Sequence, residues 1–598
     1  MRKIVIIKIV ILVIAALSVF AEGRAEENQP EWTVESVSIE GNRVFKDDEL
    51  LKLMVNRPSG WFRSRRYHHS VFQDDLSALD EFYRQNGYFN VEITDTTVSR
   101  DRGENHVRIF ISIDEGPVTS VEGISILGNR AFPDSTLMAM LKFETGTPFK
   151  RKKLQNGMIA IATFYADKGY LDASVTPETR INEQEHRVLI DLIIDEGMQM
   201  SISDIEIRGL DKTRDFVVRR ELNFEKGEII SHRKIMKSQR NLYLTGLFNS
   251  VSINPAKRPG DSEEQRSLVV ELREKDSSRF SVSAGYGSIE KAMGRVEISF
   301  DNLFGTARKA GVRMKANFIE RRVEGSFSEP RTMGSRFTTD LNLFYSYQNQ
   351  PGFEVSRHGG LLTFGRKISN SGHLTLRFRH ENQRLRNVEI LELPEKIKPR
   401  LRSITLGFTN DTRDDLFNST RGWFLDFSYE LAGTFLGGTE AFNRTVLNLR
   451  CFRSVGLGNV LAASLETGWI DVYGASGGVP INELFYTGGP NSIRGFKYRK
   501  VGPLDSGGNP VGGQFELVLN GEIRKAVWRW VGVAVFLDVG NVWRRIRNCR
   551  FDSIRYAAGP GVRINTPIGI VRFDAGFNPD PREGEEKVRY YIVMGNAF

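Results

Sequence analysis

The spacing of apolar residues divides the 598-residue chain into two parts. Between residues 31 and 276, residues at helical spacing, such as Leu76, Leu79, Phe82 and Tyr83, alternate with short strand-like segments. From residue 277 to 598, apolar and polar residues alternate, which is typical of β-strands with one apolar face. The clearest alternating runs begin at Phe280, Ile404, Trp423 and Val531. At roughly 20 residues per strand and loop, the second part would hold about 16 strands and close into an all-β barrel.

Three landmarks recur in the same order three times between residues 31 and 276. They are a strand ending in a glycine turn, a helix ending in aromatic residues near a glycine, and a strand ending in an acidic turn. The first lies at 37–43, 124–130 and 205–210, the second at 82–88, 164–170 and 242–248, and the third at 113–116, 194–197 and 272–275. The second landmark aligns Tyr83 with Tyr165 and Tyr243. We therefore predict three α+β repeats of order β-α-α-β-β. Their predicted bounds are 31–117, 118–198 and 199–276, followed by the barrel at 277–598.

The N-terminus carries a long apolar stretch of a different kind. Positive charge at the first residues precedes an apolar core over 9–20, which ends before Ala21. This core is shorter than the ~20 residues of a membrane-spanning helix, so we predict a signal peptide over 1–21. Export, followed by a long alternating region, favours a barrel in the outer membrane over a soluble β-sandwich. The last strand alternates in the way such barrels end, at Tyr590, Ile592 and Met594 ahead of Phe598.

Composition excludes several functions. The 83 Lys and Arg residues exceed the acidic residues by 9 and form no basic block, so nucleic-acid binding is not predicted. Cys451 and Cys549 are too few for a disulfide framework, and the sequence leaves open whether they pair. His68 and His69 have no third metal ligand at a suitable spacing. Because no phosphate loop or nucleophile motif stands in the required context, we predict no catalytic residue, metal or cofactor.

Four motifs stand out in the alternating part. They are Asn302-Leu303-Phe304-Gly305, the segment 411–422 (DTRDDLFNSTRG), Ile493-Arg494-Gly495-Phe496, and the strand pair within 559–574. Together they resemble the outer-membrane protein assembly superfamily, which includes BamA, TamA and the two-partner secretion transporters. The segment 411–422 departs from the family pattern in having Ser419 where proline is usual. The resemblance covers essentially the whole mature chain and identifies the three repeats with periplasmic POTRA domains.

The resemblance assigns a place to the loop that contains Ile493-Arg494-Gly495-Phe496. In the superfamily this loop folds back into the barrel lumen, and its arginine meets acidic residues of the inner wall, which Glu522 and Asp538 match here. Alternation independently places both carboxylates on the polar faces of their strands. Arginine suits the position because its planar guanidinium forms paired hydrogen bonds that lysine cannot copy. We expect a latch that holds the loop, and no catalytic role.

The first and last strands of a barrel must pair if no free edge is to remain. Here the first strand is rich in Ser and Gly, and the last contains Gly595, which weakens a strand interior. We therefore predict a lateral seam that can open and accept an incoming strand by backbone hydrogen bonding. The predicted seam residues are Phe280, Val282, Ala284, Tyr286, Gly595 and Phe598.

The resemblance implies that the protein assembles other outer-membrane proteins. Its POTRA domains would bind unfolded clients in the periplasm, and the seam would insert them among outer-membrane lipids. Accessory assembly subunits or an inner-membrane partner are further expected partners. Three repeats resemble TamA more than the five-repeat BamA, and the sequence leaves general and specialised assembly open.

Two other functions stay open at this point. A two-partner-type pore would export one dedicated protein, although such pores usually carry two POTRA-like units and an N-terminal plug helix. A passive porin would leave the three repeats without a role. Depletion of the protein distinguishes the two-partner-type pore from an assembly factor. Loss of the pore would lower the amount of one secreted protein, whereas loss of an assembly factor would lower the amounts of many barrel proteins.

Overall fold

The computed structural model describes residues 32–58, 65–101, 103, 105–390, 398–456, 458–474, 478–528, 530–566 and 569–597. The predicted signal peptide over 1–21 and the terminal Phe598 lie outside these residues. The described chain forms three small α/β repeats followed by a 16-stranded β-barrel, which confirms the fold class predicted from the sequence.

Each repeat has the predicted order β-α-α-β-β. The first comprises β1 (Thr33–Glu40), α1 (Asp47–Leu50), α2 (His69–Gln85), β2 (Glu92–Asp101) and β3 (His106–Asp114). The second comprises β4 (Ser120–Leu127), α3 (Asp134–Leu141), α4 (Arg151–Asp167), β5 (Ser174–Asn182) and β6 (Arg187–Asp195). The third comprises β7 (Ser201–Arg208), α5 (Asp215–Arg219), α6 (His232–Leu244), β8 (Phe248–Ala256) and β9 (Gln265–Glu274). In each sheet the last strand lies between the other two, in the orders β1-β3-β2, β4-β6-β5 and β7-β9-β8.

A glycine turn follows the first strand of every repeat and touches the last strand. Gly41, Gly128 and Gly209 have φ angles of +89°, +88° and +84°. A Cβ at these positions would lie 1.9, 2.1 and 1.9 Å from a carbonyl oxygen of the last strand. Both the left-handed backbone and this close approach require glycine, which explains why the turn recurs in all three repeats.

The acidic turn of each repeat caps the glycine turn. Glu196 accepts hydrogen bonds from the backbone N–H groups of Arg130 and Ala131, at 2.9 and 2.8 Å. The Tyr165 hydroxyl donates to the same carboxylate at 2.8 Å, and in the first repeat the Tyr83 hydroxyl donates to Glu115 at 3.0 Å. The acidic residue therefore ties the turn, the second helix and the last strand together.

The third repeat differs at the tyrosine position. Leu242 is fully buried there, whereas Tyr243 is 61% exposed. The predicted equivalence of Tyr243 with Tyr83 and Tyr165 is therefore wrong by one residue. Gly246 is the equivalent of Gly87, because each glycine lies two residues after the end of its helix. Counting back four residues from these glycines gives Tyr83 in the first repeat and Leu242 in the third.

The barrel strands follow one another in chain order, each antiparallel to the next. They are β10 (Ser278–Gly287), β11 (Lys291–Leu303), β12 (Arg308–Ala316), β13 (Glu320–Glu329), β14 (Phe337–Gln350), β15 (Phe353–Lys367), β16 (Gly372–Arg386), β17 (Arg400–Asp411), β18 (Gly422–Ala432), β19 (Phe442–Ser454), β20 (Asn459–Val472), β21 (Phe515–Ala526), β22 (Val531–Trp543), β23 (Arg555–Thr566), β24 (Gly569–Phe577) and β25 (Val588–Met594). Short 3-10 segments lie at Thr332–Gly334, Thr434–Leu436, Ile481–Glu483, Ile546–Asn548 and Phe551–Ser553.

Alternate residues of the barrel strands face opposite sides. On β22, Val535 and Leu537 are 62% and 51% exposed, whereas Phe536 and Asp538 are 2% and 0% exposed. On β22 the outer face is therefore apolar, whereas the charged Asp538 faces the lumen. Cys451 on β19 is exposed, and both it and Cys549 are free cysteines.

The described chain divides into two compact bodies. One contains the first two repeats with 224–236 and 255–268, and the other contains 206–223, 237–254 and the barrel. The division passes through the third repeat.

No helix in the described part of the chain is long and apolar enough to cross a membrane.

Candidate functional site

The connection between β20 and β21 folds back into the barrel. We call residues 478–514 of this connection the lumen loop. Ile493, Phe496 and Val501 of the loop form one buried apolar cluster with Val518 on β21 and Ala557 on β23. All five side chains are at most 4% exposed, and the two strand residues belong to the inward-facing set. The tip of the loop is therefore packed against the inner wall.

Arg494 lies at this tip and is fully buried. Its Nε and Nη2 donate to the two carboxylate oxygens of Asp538 at 2.7 and 2.8 Å, and its Nη1 donates to Glu522 at 3.0 Å. The backbone N–H of Arg494 also donates to Asp538, at 3.0 Å. The guanidinium carbon lies 3.4 Å from the ring centroid of Phe536. Burial of these charges is tolerated because each one is paired and hydrogen-bonded.

A third carboxylate and a second arginine extend the cluster. Asp574 on β24 lies 3.6 Å from Nη1 of Arg494. Arg563 on β23 donates to Asp574 at 2.6 Å and to Glu522 at 2.8 Å, so it bridges the two carboxylates. The sequence showed no reason to choose Asp574, although the alternating Arg-Phe-Asp of 572–574 places its first and third residues on one face. Which carboxylates meet Arg494 depends on strand register, which the sequence does not reveal.

The inner wall also binds the backbone of the loop. Arg572 donates to the carbonyl oxygen of Pro490 at 2.8 Å. The Tyr591 hydroxyl donates to the carbonyl oxygen of Phe496 at 2.6 Å and accepts from the N–H of Gly495 at 3.2 Å. Tyr591 lies on β25, so the last strand of the barrel holds the loop tip directly.

Two glycines permit this close contact. Gly495 has a φ angle of +96°, and a Cβ there would lie 3.0 Å from the Cβ of Ala557. Opposite it on β24, a Cβ on Gly576 would lie 2.3 Å from the backbone nitrogen of Gly495. A side chain at either position would push the loop away from the wall.

The lumen loop has a second anchor near its beginning. Glu483 is 4% exposed and accepts hydrogen bonds from Gln383 at 2.9 Å and from Arg444 at 3.2 Å. Arg379 lies 3.4 Å from the same carboxylate. Arg379 and Arg444 also contact Glu430, at 2.8 and 2.7 Å. These partners lie on β16, β18 and β19, so the loop is bound to two different parts of the wall. Sequence reasoning missed Glu483 because loop residues follow no period.

The two edge strands of the barrel sheet are β10 and β25. The sheet order begins at β10 and ends at β25, and these two strands are not paired with each other over the described residues. Ser288, just beyond β10, donates its N–H to the carbonyl oxygen of Ile592 at 3.1 Å, and its hydroxyl accepts from the Ile592 N–H at 2.7 Å. The contact between the edges is therefore far smaller than a strand pairing.

The predicted seam residues fall into three groups. Phe280, Val282 and Tyr286 are 67%, 65% and 57% exposed on the outer face, and Ala284 is exposed beside them. Gly595 does not lie inside the last strand, because β25 ends at Met594. Its φ angle is +94°, and its N–H donates to the carbonyl oxygen of Ile570 on the neighbouring β24 at 2.6 Å. The predicted position of Gly595 inside the strand is therefore wrong, and its part in the seam stays a prediction. Phe598 lies outside the described residues.

Comparison with known proteins gives matches along both parts of the chain. A model of the Omp85 superfamily domain matches residues 302–598. A POTRA model, described as a surface antigen variable number repeat, matches 32–116, 119–197 and 200–275.

Several individual proteins are similar over most of the chain. The outer membrane protein assembly factor BamA of Nitratidesulfovibrio vulgaris is 23% identical over 94% of this chain and 73% of its own length. BamA of Neisseria meningitidis is 23% identical over 94% of this chain and 78% of its own length. The crystal structure of Haemophilus ducreyi BamA lacking POTRA domains 1–3 aligns with a TM-score of 0.70 and 20% identity. That alignment covers 80% of this chain and 99% of the solved chain, and it shows a shared fold.

Proposed function

The chain belongs to the Omp85 superfamily, and from this premise we propose that it inserts other proteins into the outer membrane as an assembly factor of the BamA type. The proposal places the barrel in the outer membrane and the three repeats in the periplasm. It is supported by two relatives that are named assembly factors and align over 94% of this chain. Unfolded outer-membrane proteins are its proposed clients, and accessory assembly subunits or an inner-membrane partner its proposed helpers.

The observation that carries this proposal is the small contact between β10 and β25. An unpaired strand edge presents backbone N–H and C=O groups that can pair with another chain. Such pairing uses the backbone, so it accepts clients of unrelated sequence. The exposed Phe280, Val282 and Tyr286 place an apolar surface beside this edge, where an inserted strand would enter lipid. We propose that a client strand adds to β10 while the contact between Ser288 and Ile592 is open.

The anchoring of the lumen loop favours the seam, and not the lumen, as the route that a client protein takes. Glu483 and Arg494 bind the loop to different parts of the wall, at β16–β19 and at β21–β22. An unfolded protein passing through the lumen would have to break both buried clusters. We therefore favour insertion at the seam over export of a dedicated partner through the pore.

The repeats supply further edges for client binding. In every repeat the middle strand of the sheet is paired on both sides, and the two outer strands each have one unpaired edge. The edge strand β5 has exposed residues along most of its length. We propose that unfolded clients or accessory subunits pair with such edges before they reach the seam.

The first test is the outer-membrane proteome after depletion of this protein in its native cell. Loss of many unrelated barrel proteins is the expected result for an assembly factor. Loss of a single secreted protein, with other barrels intact, would instead support a dedicated secretion pore.

A disulfide across the seam tests the mechanism. With Cys451→Ser and Cys549→Ser in place, Ser288→Cys and Ile592→Cys should cross-link the edges and stop assembly until a reductant is added. The matched control is Val282→Cys with Val296→Cys, since these residues are register partners on β10 and β11, which remain paired. Normal assembly by the oxidised seam variant would contradict insertion at this edge.

A further inference from the structure

One end of the barrel carries a concentration of positive charge on its outer face. Because successive barrel strands are antiparallel, even-numbered strands end, and odd-numbered strands begin, at the barrel end opposite the start of β10. At that end of β15, β16 and β17, the exposed basic side chains are His358, His380, Arg384, Arg386, Arg400 and Arg402.

Strand register places these side chains just beyond the apolar belt. Phe378 pairs with Leu362 and Ile404 to form an apolar row across the three strands. Two residues farther along β16, His380 pairs with Arg402 on β17. Residues two apart on a strand share a face, so His380 and Arg402 point outward like Phe378. The polar rows thus begin one step beyond the apolar rows, with neighbouring strands about 4.8 Å apart.

Within the part of the chain that the structure describes, the arginines of this face form no ion pair with a carboxylate. They are Arg384, Arg386, Arg400 and Arg402. The Arg402 guanidinium donates a hydrogen bond of 3.5 Å to the carbonyl oxygen of Leu436. Although Glu354, the register partner of Arg386, lies on the same face, the described part of this surface keeps an excess of positive charge that an external anion can bind.

The same end of the barrel looks different on β20 and β21. The outward register pair there is Trp469 with Phe515, and Asp471 follows on the same face of β20. Aromatic residues at this level are typical of the membrane interface. The basic surface therefore does not extend to β20 and β21 and is not a property of the whole rim.

We propose that this surface binds the phosphorylated headgroup of a lipid in the outer leaflet. The proposal rests on the outer-membrane location proposed above, which puts the barrel end opposite the start of β10 at the cell surface. Arginine binds phosphate through paired hydrogen bonds, and basic residues at a membrane surface attract anionic headgroups. A lipid held here would fix the bilayer boundary on the side of β15–β17.

Native mass spectrometry of the purified full chain tests this, with diphosphoryl lipid A as the probe. Arg400→Gln with Arg402→Gln should lower lipid retention by about tenfold or more, since each basic residue near a surface contributes about 1 kcal/mol. Arg400→Lys with Arg402→Lys should keep most of the binding. The matched control is Arg366→Gln, which removes an exposed arginine from β15 near the opposite end of the barrel and should have little effect.

Heat-modifiable migration on a gel verifies that each variant is a folded barrel. Retention by the Gln variant equal to that of the unaltered chain would overturn the proposal, as would an equal loss in Arg366→Gln. Full displacement of the lipid by inorganic phosphate would reassign the surface to free anions. Because no client is present, the result is independent of assembly activity.

Discussion

Arg494 is placed where three carboxylates converge in a buried part of the lumen. Asp538, Glu522 and Asp574 lie 2.7, 3.0 and 3.6 Å from its guanidinium nitrogens. Removing one partner from a buried ion pair leaves uncompensated charge and typically costs about 3–5 kcal/mol. The loop tip should then leave the wall, although the sixteen-stranded ladder outside it stays intact.

We therefore expect Arg494→Ala to leave a folded barrel in the membrane but to impair assembly. Arg494→Lys is the matched control and should fall between the two, since it keeps the charge without the paired hydrogen bonds. Heat-modifiable migration measures the barrel, and maleimide labelling of Lys497→Cys measures exposure of the loop. If Arg494→Ala assembled clients as well as the unaltered protein, a role for this latch would be excluded.

The Tyr165 hydroxyl makes a different kind of buried bond in the second repeat. Burial alone raises the pKa of Glu196, but hydrogen bonds from Ala131, Tyr165 and Arg130 together lower it below its usual value. A carboxyl whose folded-state pKa is lowered stabilises the fold above its unfolded pKa. That stabilisation is lost as the pH falls through the folded-state pKa.

Tyr165→Phe should therefore raise the pKa of Glu196 and destabilise the second repeat by about 1 kcal/mol. Hydrogen exchange at the amides of Arg130 and Ala131 should increase, and their protection should be lost at a higher pH than in the unaltered chain. Tyr243→Phe is the control, because Tyr243 is 61% exposed and makes no such bond to the acidic turn. Equal exchange in both variants would contradict a stabilising role for the hydrogen bond from Tyr165 to Glu196.

At the scale of elements, the turn between β11 and β12 contacts the third repeat within one compact body. Asn302 donates to the Thr213 hydroxyl at 2.8 Å, and Arg214 donates its N–H to the Gly305 carbonyl oxygen at 2.9 Å. A Cβ on Gly305 would lie 2.1 Å from the carbonyl oxygen of Lys212. The turn that resembles the family's NLFG motif is therefore a contact between barrel and repeat.

Gly305→Ala should separate this contact, because the new methyl group cannot fit and the φ angle is +72°. Gly334→Ala is a matched control, since its φ angle is +76° but no atom lies within 4 Å of the added Cβ. Both variants carry the backbone cost of alanine at positive φ, and only the first loses the contact. Limited proteolysis near residue 212 should be faster in Gly305→Ala alone. Equal cleavage of both would show that strain, not contact, matters.

Elements with a period were predictable, and positions that depend on register were not. Alternation predicted that the second part consists of β-strands, the length of that part predicted about 16 of them, and the spacing of landmarks predicted the three repeats. The same alternation placed Glu522 and Asp538 inside the barrel, where the structure brings them to Arg494. It could not select Asp574, which reaches Arg494 only through the pairing of β23 and β24. The error at Gly595 has a different cause, because its φ angle of +94° ends β25 while the partner strand β24 still extends to Gly569.

At the scale of the whole molecule, the lumen loop is held at two places by clusters of different composition. At Arg494, a loop cation binds carboxylates of the wall, whereas at Glu483, a loop carboxylate binds cations of the wall. The apolar contacts of the loop divide in the same way, with Ile481 and Val511 packed near β15 and β16, and Ile493 near β21. Either anchor alone should therefore keep the loop inside the barrel.

This arrangement predicts a non-additive effect on the permeability of the barrel. Glu483→Gln and Arg494→Ala should each change the single-channel conductance in planar bilayers only slightly, because one anchor remains. The double variant should show larger and more variable conductance, since neither end of the loop is then bound to the wall by charge. Cells that carry it should also become sensitive to large antibiotics.

Glu354→Gln, at the start of β15 on the outer face, is the control for loss of one carboxylate. If the double variant conducted no more than the sum of the single variants, the apolar contacts would be sufficient to hold the loop. The two charged clusters would then serve orientation of the loop and not closure of the lumen.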